Sequence, residues 1–462
     1  MRIALACDQK WRDLPSLVGI RYHLNLLGHQ APIVSTRELE ALLPVMQPDV
    51  VVLNNFWDMR YHALAKQLRE AGIAVGVLPT EGASPLNIWA PIVFGEYSDY
   101  SLLDFHLCWN RDTANGIVEY GTMTAEQVDV IGCPRFDFAV APLSATCMTR
   151  EQFSGLLRLD GRRPIVTWAS RYAHAKMAYA KPDVRAAFDA RCVDLGIQQC
   201  LASFNYSLDD LVNKFKLSLD AFIDAFCATA RARPDMQFVF KPHPNDDVLY
   251  IEKRIGLATL PNVRMGVGIY IGDALRSSDV LVNADCSTSM EAWVQNIPVV
   301  DAQLHADSVI GRPDIAACNR TANDTDGIIR LIDDSLRDRG TPPELAAPRA
   351  AFLAKWFETV DGRRCEAAAV SLSRYAHALG RRRKLYPARY GGGRKHVAKQ
   401  TLAWIAAVPG GVGLRAALRG KRQVYAKAGV FDKVITRSDV RSLAKQIEPL
   451  LAQELRGRVK HG

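Results

Sequence analysis

Through the first 150 positions the chain alternates short apolar runs with longer stretches whose apolar residues recur at helical spacing. Arg2–Ala6, Asp49–Leu53, Ile73–Leu78, Phe105–Trp109 and Val128–Ile131 read as buried strands. A first helix ends near Gly28, and Met59–Ala71 predicts another, stopped by Gly72. Buried runs separated by helical stretches predict βαβ units and a parallel sheet. The pattern restarts near residue 160. Pro164–Trp168 is the first strand of this second half, and Leu208–Ala230 predicts a long helix. Strands follow at Phe238–Phe240, Val263–Met265, Val280–Val282 and Val299–Val300. The joint falls near Ala139–Thr149, and no repeat of 20–50 residues interrupts either half. The expectation is an α/β protein with two Rossmann-like domains facing a cleft, over residues 1–145 and 150–370, plus a mainly helical basic C-terminal extension over 371–462. In that extension Ser438–Arg456 has helical spacing, with Pro449 inside it.

Composition alters this picture at one point. The net charge of +9 comes from 58 Lys and Arg against 49 Asp and Glu, but fourteen of those cations lie between Arg374 and Lys427, where there is no Asp or Glu. Without that window 44 cations face 49 anions, so the body is net −5. The positive charge is therefore local. Interspersed Tyr386, Tyr390, Trp404, Ile405, Val408 and Leu414 are groups that insert into an interface, and about 1 kcal/mol per Lys or Arg favours an anionic lipid surface. The ten cysteines are scattered with no paired zinc spacing, which predicts core thiols in a reducing compartment. Met1–Cys7 is too short for a signal peptide, and the longest apolar stretch, Thr401–Leu414, is broken by Pro409-Gly410-Gly411. These features predict a cytoplasmic protein that does not span a membrane.

Three polar clusters follow strands, where ligands bind in parallel α/β sheets. In Lys241-Pro242-His243-Pro244 two prolines hold a cation and an imidazole on a stiff loop suited to an anionic phosphate. Ser287, Thr288 and Ser289 open a helix after Val280–Val282, where hydroxyls and amides converge on phosphate, and Glu291 one turn on suits ribose hydroxyls. The spacing of Thr288 and Glu291 equally fits a plain capping box. Glu81, on the Thr80-Glu81-Gly82 loop after Ile73–Leu78, is a candidate general acid or base, or simply an exposed carboxylate. Arg135 and Asp137 read as a pair steadying the Pro134-Arg135-Phe136-Asp137 turn. Asp324-Thr325-Asp326 reads as a helix start, so no metal site is expected. No GxGxxG follows Arg2–Ala6, which disfavours a dinucleotide oxidoreductase.

Phe238–Asn245 and Ser277–Pro298 together resemble the C-terminal half of GT-B glycosyltransferases of bacterial surface polysaccharide synthesis, and Gly132–Asp137 with Thr80–Gly82 resemble the first half of the same group. The resemblance spans roughly residues 1–370. It implies a metal-independent transferase without a cofactor, using a nucleotide-sugar donor as co-substrate. It further implies transfer of a 2-keto acidic sugar such as Kdo or a nonulosonic acid from a CMP-linked donor to a lipid-linked or oligosaccharide acceptor of a capsule or lipopolysaccharide. By motif, Lys241, His243, Ser287, Thr288 and Ser289 would hold the donor phosphate and Glu291 the nucleotide. Glu81 would be the acid or base, and Asp209 and Asp210 weaker candidates for a nucleophile; their other reading is as carboxylates at a helix N-terminus. Where the group has an Asn-Phe-like stretch, this chain has Thr167-Trp168-Ala169-Ser170-Arg171. Residues 374–427 would dock the enzyme on the inner face of the cytoplasmic membrane, and nucleic acid is disfavoured as a partner. Alternatives are a CDP-glycerol-type polyol-phosphate transferase, a nucleotide-sugar epimerase of GT-B architecture, and a non-enzymatic scaffold binding anionic lipid or RNA.

Overall fold

The computed structural model describes residues 1–57, 59–83, 94, 98–307, 309–380, 433 and 435–461. They fall into two compact units, one built from residues 1–83, 98–146, 355–380 and 433–461, the other from 147–354.

The first unit holds a six-stranded parallel sheet of β1 (Ile3–Cys7), β2 (Ile33–Ser35), β3 (Val50–Leu53), β4 (Ala74–Val77), β5 (Phe105–Cys108) and β6 (Val128–Val130). The spatial order is β2-β1-β3-β4-β5-β6. β1, β3 and β5 are buried at every position, as continuous apolar runs covered on both faces must be. Helix Lys10–Leu26 buries Leu14, Leu17, Val18, Ile20 and Leu24. It packs against two helices from the far end of the chain, Arg364–Leu379 and Arg437–His461.

That return differs from the predicted boundaries, which assigned 150–370 to one domain and 371–462 to an appendage. The chain rejoins the first unit at Lys355. Cys365 Sγ lies 2.9 Å from where a Cβ on Gly19 would stand, so helix Arg364–Leu379 approaches helix Lys10–Leu26 as closely as a glycine permits. Asp137 accepts the N–H groups of Arg364 (2.9 Å) and Cys365 (2.7 Å), two of the first donors of the returning helix. The expected Arg135–Asp137 pair gives way to this cap, and burial lifts the Asp137 carboxyl to about 6 despite both bonds. Arg135 instead lies over the Trp109 ring at 5.2 Å. The basic window falls mostly within 381–432, outside the described residues.

In the second unit the strands are β7 (Ile165–Ala169), β8 (Gln237–Lys241), β9 (Val263–Met265), β10 (Val280–Asn283), β11 (Val299–Ala302) and β12 (Arg320–Ala322). Their order, β12-β11-β10-β7-β8-β9, is parallel throughout. Counted from β7 it is the 3-2-1-4-5-6 arrangement of Rossmann sheets, reversing direction between β7 and β10. Helix Leu208–Ala232 begins with a capping box, in which Ser207 and Asp210 satisfy each other's backbone N–H. It buries Leu211, Phe215, Leu219, Phe222 and Phe226 at steps of three and four residues. Phe222 and Phe226 meet Trp168 of β7 at 5.0 and 5.4 Å between ring centres, and Phe226 meets Phe240 of β8 at 5.1 Å. This aromatic block fixes β8 against β7. All ten cysteines are free and buried. Among the described residues no helix is long and apolar enough to cross a membrane.

Candidate functional site

Strand register decides what stands at the carboxyl edge of the second sheet. Ala169 pairs with Lys241, Trp168 with Val282, and Asn283 with Asp301. Carried one residue on, the register sets Asp301, Asn283, Ala169 and Lys241 in a row across four neighbouring strands. β10 and β8 flank β7, so the Lys241 and Asn283 main chains lie roughly 10 Å apart. That is the reversal point of the sheet, where such folds take ligands.

After Lys241 the loop is tied down atom by atom. Ser170 donates its N–H to the Lys241 carbonyl at 3.0 Å, extending the ladder past β7. The His243 N–H donates to Asp246 Oδ2 at 2.8 Å, and the Asp246 N–H returns to the His243 carbonyl at 2.9 Å. Asn245 donates its N–H to His243 Nδ1 at 3.1 Å. A ring nitrogen that accepts carries no proton, so the neutral imidazole holds its hydrogen on Nε2 and presents a donor there. Lys176 Nζ donates to the Asn245 carbonyl at 2.6 Å. Burial pushes the Asp246 carboxyl up to about 6, against the opposing pull of Ser170, the His243 N–H, Lys176 and Lys241.

The turn after β10 is held differently. Asp285 adopts a left-handed φ of +48° and donates its N–H to both oxygens of Asp301, at 3.1 and 3.3 Å. Gln303 Nε2 bridges Asp285 Oδ1 (2.5 Å) and Asp301 Oδ1 (2.6 Å), and Arg171 Nη1 donates to the Asp285 carbonyl at 3.0 Å. Burial, and then the facing Asp285 charge, raises Asp301 to about 7, while Gln303, the Asp285 N–H and Asn319 oppose the rise. Beyond this turn Ser287 is exposed, and Thr288 and Glu291 are half-buried. Ser287 precedes helix Thr288–Val294 without a side-chain cap, so the capping box expected of Thr288 and Glu291 is not what starts this helix.

The nine expected residues separate. Lys241, His243, Ser287, Thr288 and Glu291 belong to the carboxyl edge of the second sheet. Ser289 turns away from it: the hydroxyl is fully buried and bonded to Asn283 (2.9 Å) and Asn319 (3.2 Å). Successive helical side chains point about 100° apart, so three consecutive hydroxyls do not converge. Asp210 is occupied by the capping box with Ser207, and Asp209 pairs with Arg185. Both follow the helix-terminus reading. Glu81 lies in the first unit, exposed, with Arg12 Nη1 at 2.9 Å; Arg12 is also held by Asp13 at 2.7 Å. Asp324 accepts the Gly327 N–H at 2.6 Å and starts helix Thr325–Asp338, as expected. Sequence reasoning missed Asp246, Asp285, Asp301 and Gln303. The one available signal was a carboxylate directly after the apolar pair Val299-Val300.

No family model matches the chain, and no curated protein matches it. Solved structures do. A UDP-GlcNAc 2-epimerase from Neisseria meningitidis bound to UDP-GlcNAc aligns over 81% of this chain and 100% of its own, with TM-score 0.51 and 13% identity. A putative UDP-N-acetylglucosamine 2-epimerase from Listeria monocytogenes covers 83% of this chain and 98% of its own, at TM-score 0.51 and 12% identity. The wall teichoic acid polymerase TagF covers 82% of this chain and 88% of its own, with TM-score 0.51 and 11% identity. At such identity the likeness defines the fold, a GT-B-like architecture of two Rossmann-like units.

Proposed function

We propose that the protein is a glycosyltransferase that binds a nucleotide-activated sugar at the carboxyl edge of β8, β7 and β10 and transfers it to a surface glycan. The observation that carries this reading is the Lys241–Asp246 loop, which holds a cation and an Nε2–H donor beside the reversal point of a 3-2-1-4-5-6 sheet. A phosphate ester there would meet a cation and a hydrogen-bond donor, the pairing that stabilises a departing nucleotide. Ser287 and Thr288 add hydroxyls, and Glu291 suits the ribose. Ser289, Asp209 and Asp210 have no place in this site, because each is engaged in folding contacts. Glu81 remains the candidate acid or base on the sequence resemblance.

The donor we favour is CMP-linked and the sugar a 2-keto acid, on the sequence resemblance. Transfer of polyol phosphate from a CDP donor is the second reading, supported by the TagF likeness, since that polymerase was solved with CDPG at TM-score 0.50 and 12% identity. Both need the same cation and donor. Residues 374–427 would bring the enzyme to an anionic membrane face where lipid-linked acceptors lie.

A thermal-shift series with CMP, CDP, UDP and GDP tests the reading, because a ligand that binds only the folded state raises the midpoint in proportion to its occupancy. We expect a cytidine nucleotide to stabilise most; stabilisation by UDP alone would point to epimerase-type chemistry. His243→Ala and Lys241→Ala should each lose about 100-fold or more in transfer while keeping the wild-type melting midpoint, the size of effect found when a fixed donor to developing charge is removed.

A further inference from the structure

The loop after β8 contains a geometric problem that one side chain solves. Pro242 and Pro244 have no N–H, so of three successive residues only His243 can donate from the main chain. That donor goes to Asp246 Oδ2 at 2.8 Å. Asp246 closes the turn a second time through its own N–H to the His243 carbonyl, at 2.9 Å. Inside that doubly closed turn the Asn245 N–H reaches His243 Nδ1 at 3.1 Å and sets the tautomer. The second oxygen, Asp246 Oδ1, is sealed from solvent, and the Ser170 hydroxyl is near enough to favour the ionised carboxyl.

We propose that Asp246 is a positioning residue: as an acceptor for the His243 N–H it fixes the imidazole with its proton on Nε2, directed to the donor phosphate. The inference rests on the donor-site reading above. It concerns the accepting oxygen and not the negative charge. An amide at this position keeps an acceptor for the His243 N–H and places its NH2 where Oδ1 stands. Alanine keeps nothing there, and a serine hydroxyl, one bond nearer the main chain, stands short of the Oδ2 position.

The test compares Asp246→Asn, Asp246→Ala and Asp246→Ser in the full-length protein. CMP, CDP and UDP binding is measured by calorimetry, and the His243 ring nitrogens are observed by NMR of protein labelled with 15N-histidine. We expect Asp246→Asn to bind the preferred nucleotide within about threefold of wild type, and Asp246→Ala and Asp246→Ser to lose about tenfold or more, since small misplacements of a binding group carry costs of that order. In wild type and Asp246→Asn, the Nδ1 shift should be that of an unprotonated nitrogen and Nε2 that of N–H; the truncations should show averaged tautomers. Asp246→Ser guards against an alanine variant that fails to fold, which circular dichroism would reveal. Wild-type affinity and an unchanged tautomer in a folded truncation would overturn the proposal, as would an Asn variant as weak as Ala. If the wild type binds none of the nucleotides, the donor-site reading fails, and the tautomer measurement still decides what Asp246 does to His243.

Discussion

Asp301 shows how a single residue at a strand end governs a site it does not touch. Its carboxylate is fully buried and takes the Asp285 N–H on both oxygens, which holds Asp285 in its left-handed turn. Folded, it keeps a proton up to about pH 7; unfolded, it releases it near its ordinary 3.8. Between those values the folded state binds more protons, so this group's contribution to stability falls as pH rises from about 4 to about 7. An asparagine does not titrate. Urea denaturation should therefore show wild type losing stability relative to Asp301→Asn between about pH 4 and about pH 7. A difference that stays constant would mean that Asp301 is ionised throughout. Residues of this kind were the least legible in the sequence. Lys241 and His243 stand out because prolines frame them, but Asp246 and Asp301 act through contacts that only the fold creates. A charged residue inside a buried strand reads as the strand's end, and the expected strand stopped at Val300, one residue short of Asp301.

At the scale of elements, helix Leu208–Ala232 does most to place the site, because its aromatic face holds β8 against β7. Removing Phe226, fully buried among Trp168, Phe238 and Phe240, should cost about 3–5 kcal/mol in urea melts, as large buried rings do. Ser207→Ala, which opens the capping box, should cost about 1 kcal/mol. A loss near zero in the Phe226→Ala variant would mean that this block does not anchor β8. The helix and the central strands were legible because both periods persist over enough residues. The strands at one end of each sheet were not. Ile33–Ser35 and Arg320–Ala322 are short and only partly apolar, and they are strands because β1 and β11 offer them an edge. The helices between β7 and Leu208, Pro182–Asp194 and Ile197–Ala202, also escaped notice, since the first buries only Cys192 and so carries no apolar stripe.

For the whole molecule the concentrated positive charge matters most. Replacing residues 381–432 by a Gly/Ser linker should abolish sedimentation with anionic vesicles, at about 1 kcal/mol for each Lys or Arg lost from the surface, and leave nucleotide stabilisation intact. Equal sedimentation with and without the segment would remove the membrane from the proposal. Such a replacement is the right experiment, because truncation at 374 would also strip helix Arg437–His461 from helix Lys10–Leu26. That final helix is not held by packing alone. Lys10 pairs with Asp439 at 2.5 Å, Arg458 with Glu366 at 2.6 Å, and Lys433, just before it, with Asp8 at 2.8 Å. An element so widely cross-braced does not depend on chain continuity for its place. Residues 1–380 and 433–462 made as separate polypeptides should therefore find each other and complement in trans, eluting as one species in size-exclusion chromatography. The gap between them would then be a site where foreign sequence can be spliced in without unfolding the unit that carries it.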